Sequence, residues 1–119
     1  NRVKILNDFV LFTFKLHENG INFLDHSPGN TLVKMHNSLL TFYLIDLNRM
    51  KFEKMNFTKR IMNFRRLTND KEVLKIISRE YAKLSNRDDD EVFSLMVKYS
   101  NQFLRRRSFR KKLKKILVK

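Results

Sequence analysis

Residues 68–84, TNDKEVLKIISREYAKL, carry the clearest secondary-structure signal in this chain. Apolar residues recur there at the spacing of one helix face, at Val73, Ile76, Ile77, Tyr81 and Leu84. Asn69 can cap a helix, Asp70 suits the positive end of the helix dipole, and Glu72 completes a capping-box pattern. The stretch therefore predicts an amphipathic helix that begins near residue 69 and ends at 85–86.

The segments on both sides of this helix also predict helices. Apolar spacing favours one helix over 32–48 and a second over 52–67. An acidic run at 88–91 predicts the start of a helix that reaches about Phe103, and a short basic amphipathic helix follows from about Ser108. Two Gly and one Pro in 119 residues indicate few loops. The predicted fold class is mainly α, a bundle of five or six helices with a basic C-terminal helical tail.

The N-terminal segment, 3–24, leaves two alternatives open. Its apolar residues begin at helical spacing, but Phe12, Phe14 and Leu16 then alternate with polar residues as in a strand. Asn19-Gly20 can therefore follow a helix, with Gly20 in the left-handed position, or form the turn of an N-terminal β-hairpin. The breaker at 26–30 predicts an N-terminal sub-unit, 1–25, within a helical domain of 1–104, and 105–119 forms the basic tail.

The C-terminal segment 98–119 holds ten Lys or Arg and no Asp or Glu, so it supplies +10 of the formal +14. A cationic segment of this density is typical of polyanion binding. The residues expected to grip phosphates are Arg105, Arg106, Arg107, Arg110, Lys111, Lys112, Lys114 and Lys115. Phe103 and Phe109 could stack on unpaired bases. The alternative is that Phe109, Leu113, Ile116 and Leu117 are core residues and the charges are solvated.

A second basic cluster, Lys59, Arg60, Arg65 and Arg66, lies on the helix predicted over 52–67. If the fold brings it beside the tail, the two form one continuous basic surface for nucleic acid. The alternative is an ordinary solvated helix face.

Other classes of site find no support in the sequence. The chain has no Cys, and its three His lack metal-ligand spacing, so we expect no metal. With two Gly it cannot build a phosphate-cradling loop, so we expect no cofactor, no small-molecule substrate and no enzymatic activity. Neither a signal peptide nor a membrane span is visible, and we expect an intracellular protein.

Residues 57–84 carry a partial family resemblance. Ile61 and Phe64 precede the basic pair Arg65-Arg66, and an acidic cap and Val73 follow without a gap. This pattern resembles the last two helices of the N-terminal domain of transcription elongation factor TFIIS. The usual Gly-Lys is Thr58-Lys59 here, the expected Trp is Leu84, and about a quarter of the chain is covered. The resemblance implies a scaffold that docks short disordered protein motifs, with a contact at 67–69. The chain is also similar to small helical ribosomal proteins, which are basic and Gly-poor.

Three functions follow as hypotheses. The first is non-enzymatic binding of nucleic acid through backbone phosphates, with RNA slightly favoured over DNA, as in a ribonucleoprotein. The second is a protein-interaction bundle of the elongation-factor type, with a protein partner in an apolar groove near Leu67. The third, least favoured, is membrane-surface binding by the tail, which requires Phe109, Leu113, Ile116 and Leu117 to be exposed.

Overall fold

The computed structural model describes residues 2–45 and 49–117, and in these it contains four helices and two small sheets. The helices are α1 (Arg2–Glu18), α2 (Phe57–Met62), α3 (Lys71–Ser85) and α4 (Asp89–Leu117), and the strands are β1 (Ile21–Phe23), β2 (Thr31–His36), β3 (Leu39–Leu44) and β4 (Met50–Phe52). β2 pairs with β3 and β1 pairs with β4, both antiparallel. The predicted bundle of five or six helices is therefore wrong.

The helix predicted over 32–48 is instead the β2–β3 hairpin, as far as residue 45; residues 46–48 lie outside the described part. Its strands pair from Thr31 with Leu44 to His36 with Leu39. The turn residues Asn37 and Ser38 both have positive φ, 49° and 67°, which is the geometry of tight hairpin turns. Aromatic and β-branched residues favour strands here, while the apolar residues happen to match helical spacing as well.

The other helix predictions also change. Residues 52–67, which were predicted to form one helix, do not do so. They comprise the last residue of β4, a connection, the six-residue α2 and a turn over 63–67. The two helices predicted C-terminally form the single helix α4, which runs through the expected domain boundary at 104/105.

The N-terminal helix alternative is confirmed, and the N-terminal hairpin is wrong. α1 ends at Glu18, and Gly20 follows with a φ of +68°. A Cβ at Gly20 would lie 3.1 Å from the carbonyl oxygen of Glu53, whose own amide donates to the Gly20 carbonyl at 2.8 Å. Glycine is thus required both by the left-handed backbone and by the close approach of the next segment.

The helix predicted from residues 68–84 is confirmed as α3. Its N-cap is Asp70, whose carboxylate accepts from the Glu72 and Val73 amides at 2.9 and 3.4 Å, so the capping role proposed for Asn69 is wrong. Asn86 ends the helix with a left-handed backbone.

The hydrophobic core lies where α3 packs against α1 and α4. Its buried residues are Val10, Ile61, Phe64, Leu74, Ile77, Tyr81, Ala82, Val92 and Met96. Only the first half of α4 contributes to this core; every side chain of α4 described from residue 104 onward is exposed. The second half of α4 therefore extends from the body as an exposed cationic helix.

Candidate functional site

The exposed half of α4 presents all eight basic residues predicted for the tail. Because successive residues of an α-helix turn by about 100°, Phe103, Arg106, Arg107 and Arg110 share one face. Arg105 and Lys112 lie about half a turn away, together with the apolar side chains of Phe109 and Ile116. Cations thus surround most of the helix, and a narrow apolar stripe interrupts them.

The arginine face of α4 meets the turn over 63–67 across an open cleft of about 450 Å³. Arg65 and Arg66 line the cleft from the turn. Arg106, Arg107 and Arg110 line it from α4. Met62, Tyr99, Gln102 and Phe103 form the rest of its wall. We call this feature the arginine cleft: five guanidinium groups from two separate elements face one volume.

Two polar contacts fix the position of the turn. The Asn63 side-chain amide donates to the Phe23 carbonyl at 2.8 Å, which anchors the start of the turn to β1. At its other end the Ser100 hydroxyl donates to the Thr68 carbonyl at 2.9 Å, which ties the segment to α4. The spacing of the arginines across the cleft is therefore set by the folded body.

The charges around the cleft are poorly neutralised. Asp25 lies 3.0 Å from Arg49 and 3.9 Å from Arg66, measured between carboxylate oxygen and guanidinium nitrogen. Burial lowers the pKa of Arg65, and the nearby charges of Arg66, Arg106 and Arg49 lower it further. The cleft is thus a region of positive potential in which like charges are held close together.

Arg66 is the most constrained of the five arginines. Its guanidinium carbon lies 5.1 Å from the centroid of the Phe103 ring, a cation–π contact. Its Nε atom is buried and has no hydrogen-bond partner among the described residues. Because Arg66 covers Phe103, which is itself half-buried, of the two phenylalanines predicted to stack on bases only Phe109 is fully open to a ligand.

The second predicted basic cluster is only partly continuous with the tail, and Lys59 lines an adjoining groove together with Arg65 and Arg66. Arg65 and Arg66 join the tail, as the prediction of a continuous basic surface requires. Lys59 forms an ion pair with Glu53. Arg60 points elsewhere: its Nε donates to the Met55 carbonyl at 2.8 Å and its Nη2 to Glu18 at 3.1 Å.

The apolar residues of the tail are exposed. Phe109, Leu113 and Ile116 are 62%, 40% and 69% exposed, so the alternative that they are core residues is wrong for these three. The Leu117 side chain lies outside the described part.

A separate apolar groove of about 290 Å³ lies beside Leu67, on the side of α3 that faces α1 and the hairpin. Its lining includes Ile5, Phe9, Val33, Phe42, Leu67 and Val73. The elongation-factor resemblance implied an apolar groove near Leu67, and the structure contains one.

A buried histidine, His17, supports the turn that carries Arg65 and Arg66. Its Nε2 lies 2.8 Å from Asn63 Oδ1, and its Nδ1 lies 2.7 Å from the Tyr81 hydroxyl. Since the Asn63 amide nitrogen already donates to Phe23, Asn63 Oδ1 must accept, which assigns the proton of neutral His17 to Nε2. Burial lowers the pKa of His17 to about 4.

The proton of the second buried histidine, His26, can be assigned in the same way. Thr13 donates its hydroxyl proton to the Phe9 carbonyl at 3.0 Å, so His26 Nε2, 2.9 Å from Thr13 Oγ1, is the donor. The remaining ring nitrogen is buried and has no partner among the described residues. Burial, and to a smaller extent the nearby His17, lowers the pKa of His26 to about 3.

The described residues contain no group of three or more His, Asp or Glu side chains arranged to hold a metal ion. No described helix is long and apolar enough to cross a membrane. Comparison with known proteins gives no matching family model, no matching curated protein and no matching solved structure.

Several residues in and around the arginine cleft were not predicted as part of a site. The sequence predicts Tyr99 only as an inward-facing residue of its helix and gives no role to Gln102, and it does not connect Asp25 and Arg49 with the tail. The only available signal was helical spacing, because Tyr99, Gln102, Phe103 and Arg106 recur every three or four residues on α4.

Proposed function

We propose that this protein binds nucleic acid through backbone phosphates, without enzymatic activity, and that the exposed half of α4 and the arginine cleft form its binding surface. The observation that carries the proposal is the convergence of Arg65 and Arg66 with Arg106, Arg107 and Arg110 on one cleft. If the basic side chains of α4 formed only an ordinary solvated helix face, we would not expect arginines from a second element to line the same cleft.

The composition of the surface supports phosphate binding. Guanidinium groups bind phosphate oxygens bidentately, and lysines add positive charge farther along α4. Binding through phosphates alone carries little sequence information, so we expect little sequence specificity.

Phe109 supports RNA as the slightly preferred nucleic acid. It is exposed beside Arg105 and Lys112, where a base that is not paired could stack on its ring. Single strands offer such bases and a regular duplex does not.

The exposed tail supports membrane-surface binding less strongly than nucleic-acid binding. Three apolar side chains of the tail are exposed, as that hypothesis requires. However, they form a stripe on a helix that is cationic over most of its circumference, whereas membrane-surface helices present a wide apolar face. Vesicle binding is therefore an outcome to be tested beside nucleic acid.

The test is fluorescence anisotropy with single-stranded RNA, duplex RNA, duplex DNA and anionic vesicles. The tail variant replaces Arg105, Arg106, Arg107 and Arg110 by Gln in the full chain. Its matched control replaces the exposed Lys54, Lys71, Lys75 and Lys83 of the body, an equal change in charge. Loss of RNA binding in the tail variant alone supports the proposal. Equal losses in both variants, or preference for vesicles over RNA, would refute it.

A protein-interaction function is the second candidate, and the groove beside Leu67 favours it. Val33 lines this groove and is 47% exposed, so Val33→Glu places a charge in it. Leu39→Glu is the control, because Leu39 lies on the opposite face of the hairpin and is 70% exposed. A protein partner that binds the tail variant and the control but not Val33→Glu would establish this function.

A further inference from the structure

The arginine cleft differs from the rest of the basic surface because two elements border it. Along most of the exposed half of α4, cations point outward in different directions and suit an extended polyanion. In the cleft, by contrast, five guanidinium groups border about 450 Å³, which lies within the range of small-molecule sites, roughly 300–1,000 Å³.

The cleft also holds more positive charge than a single phosphodiester can neutralise. In the described part of the chain, Arg65, Arg106, Arg107 and Arg110 form no ion pair within 4.0 Å, and of the five cleft arginines Asp25 reaches only Arg66. A backbone phosphodiester brings one negative charge into this volume. A linear oligophosphate group, in which adjacent phosphates share bridging oxygens, brings three or more.

We propose that the arginine cleft is a binding site for a linear oligophosphate group, gripped between Arg65 and Arg66 on the turn and Arg106, Arg107 and Arg110 on α4. This inference rests on the proposed function, because it assigns a ligand to one part of the same basic surface. Two sources share the chemistry: a free oligophosphate compound, and the 5′-triphosphate end of an RNA.

The repulsion between its arginines and the order of its two walls both favour the binding of such an anion in the cleft. The lowered pKa of Arg65 reflects burial and the repulsion of neighbouring arginines, which a multiply charged anion would relieve. Because the Asn63 and Ser100 contacts hold the turn against β1 and α4, the two walls are ordered before the ligand arrives.

Isothermal titration calorimetry with tripolyphosphate tests the site in the full chain, with orthophosphate and sulfate compared at equal ionic strength. The cleft variant is Arg65→Gln/Arg106→Gln, which leaves the more constrained Arg66 in place. The matched control is Arg105→Gln/Lys112→Gln, which removes the same charge from the face of α4 that points away from the cleft. Thermal unfolding shows whether each variant is folded.

We expect tripolyphosphate to bind with one-to-one stoichiometry and roughly tenfold or more tighter than orthophosphate or sulfate, since more charge-assisted hydrogen bonds form. The cleft variant should lose roughly tenfold or more in affinity, because each guanidinium forms such bonds, while the control changes little. Equal affinity for the three anions, or an equal loss in the control, would overturn the inference.

RNAs of one sequence with a 5′-triphosphate or a 5′-hydroxyl distinguish the two sources. If the triphosphate RNA binds more tightly than the hydroxyl RNA, and the cleft variant abolishes this difference, the RNA end is the ligand. Equal binding of both RNAs, together with a tripolyphosphate site in the cleft, identifies a free compound. If tripolyphosphate fails while 5′-hydroxyl RNA still binds the tail, this inference fails and the proposed function stands.

Discussion

The two buried histidines make the stability of this protein sensitive to mild acid. Burial holds the pKa of His17 at about 4 and that of His26 at about 3, against 6.5 for both in an unfolded chain. Below pH 6.5 the unfolded state therefore binds protons that the folded state cannot, so the free energy of unfolding falls as the pH falls. The loss continues until the pH passes the folded-state values.

The magnitude follows from these values. Between pH 7 and pH 5 each histidine removes about 2 kcal/mol from the free energy of unfolding, and the two together remove about 4 kcal/mol. Small domains have only about 5–15 kcal/mol in total. Hydrogen bonds from Lys59 and then Asn22 lower the pKa of Glu53 from its ordinary value of 4.5, so the stability that this carboxylate contributes is lost mainly below this pH range.

Urea unfolding at pH 7 and pH 5 is the assay. For a denaturant slope of about 2 kcal/mol/M, the midpoint should drop by about 2 M. His26→Gln should roughly halve the pH effect, because it removes one of the two buried imidazoles. A loss below about 1 kcal/mol in the wild-type chain, or an unchanged pH effect in His26→Gln, would refute the reasoning.

Three further predictions concern the folded body, and urea unfolding at pH 7 checks each of them. Asp70→Ala should cost about 1 kcal/mol because it removes the N-cap of α3, whereas Asn69→Ala should cost little; the reverse order would place the cap at residue 69. Gly20→Ala should cost about 1–2 kcal/mol because of its positive φ, and Gly29→Ala, where a Cβ meets nothing within 4 Å, should not; equal effects would contradict the backbone argument. Leu74→Ala should cost about 2–5 kcal/mol because Leu74 is buried in the core, and a cost under 1 kcal/mol would contradict that packing.

Local sequence signals predict α3 well, since its cap, apolar face and end all lie within one short stretch. The hairpin was not predictable in the same way. Its turn, Asn37-Ser38, contains no Gly, and the exposed Leu32 and Leu39 are apolar although they lie on the outer face. Those residues complete a helical spacing that the structure does not follow.

The candidate site was only half predictable. Charge density alone identified the tail, because it is a property of one continuous segment. The pairing of the tail with the turn depends on how α2, α3 and α4 pack, and the contact between Arg66 and Phe103 joins residues far apart in the chain. Likewise, nothing in the sequence distinguishes Arg60, which binds Glu18, from Arg65, which faces the cleft.

The salt dependence of RNA binding tests the central claim most directly. If the eight tail cations each meet a phosphate, the logarithm of the binding constant for single-stranded RNA should fall with the logarithm of salt concentration with a slope of about −6. The variant that lacks Arg105, Arg106, Arg107 and Arg110 should show a slope smaller in magnitude by about 3, and the body control should keep the full slope. A slope that is shallow in the wild-type chain, or that changes equally in both variants, would contradict the account.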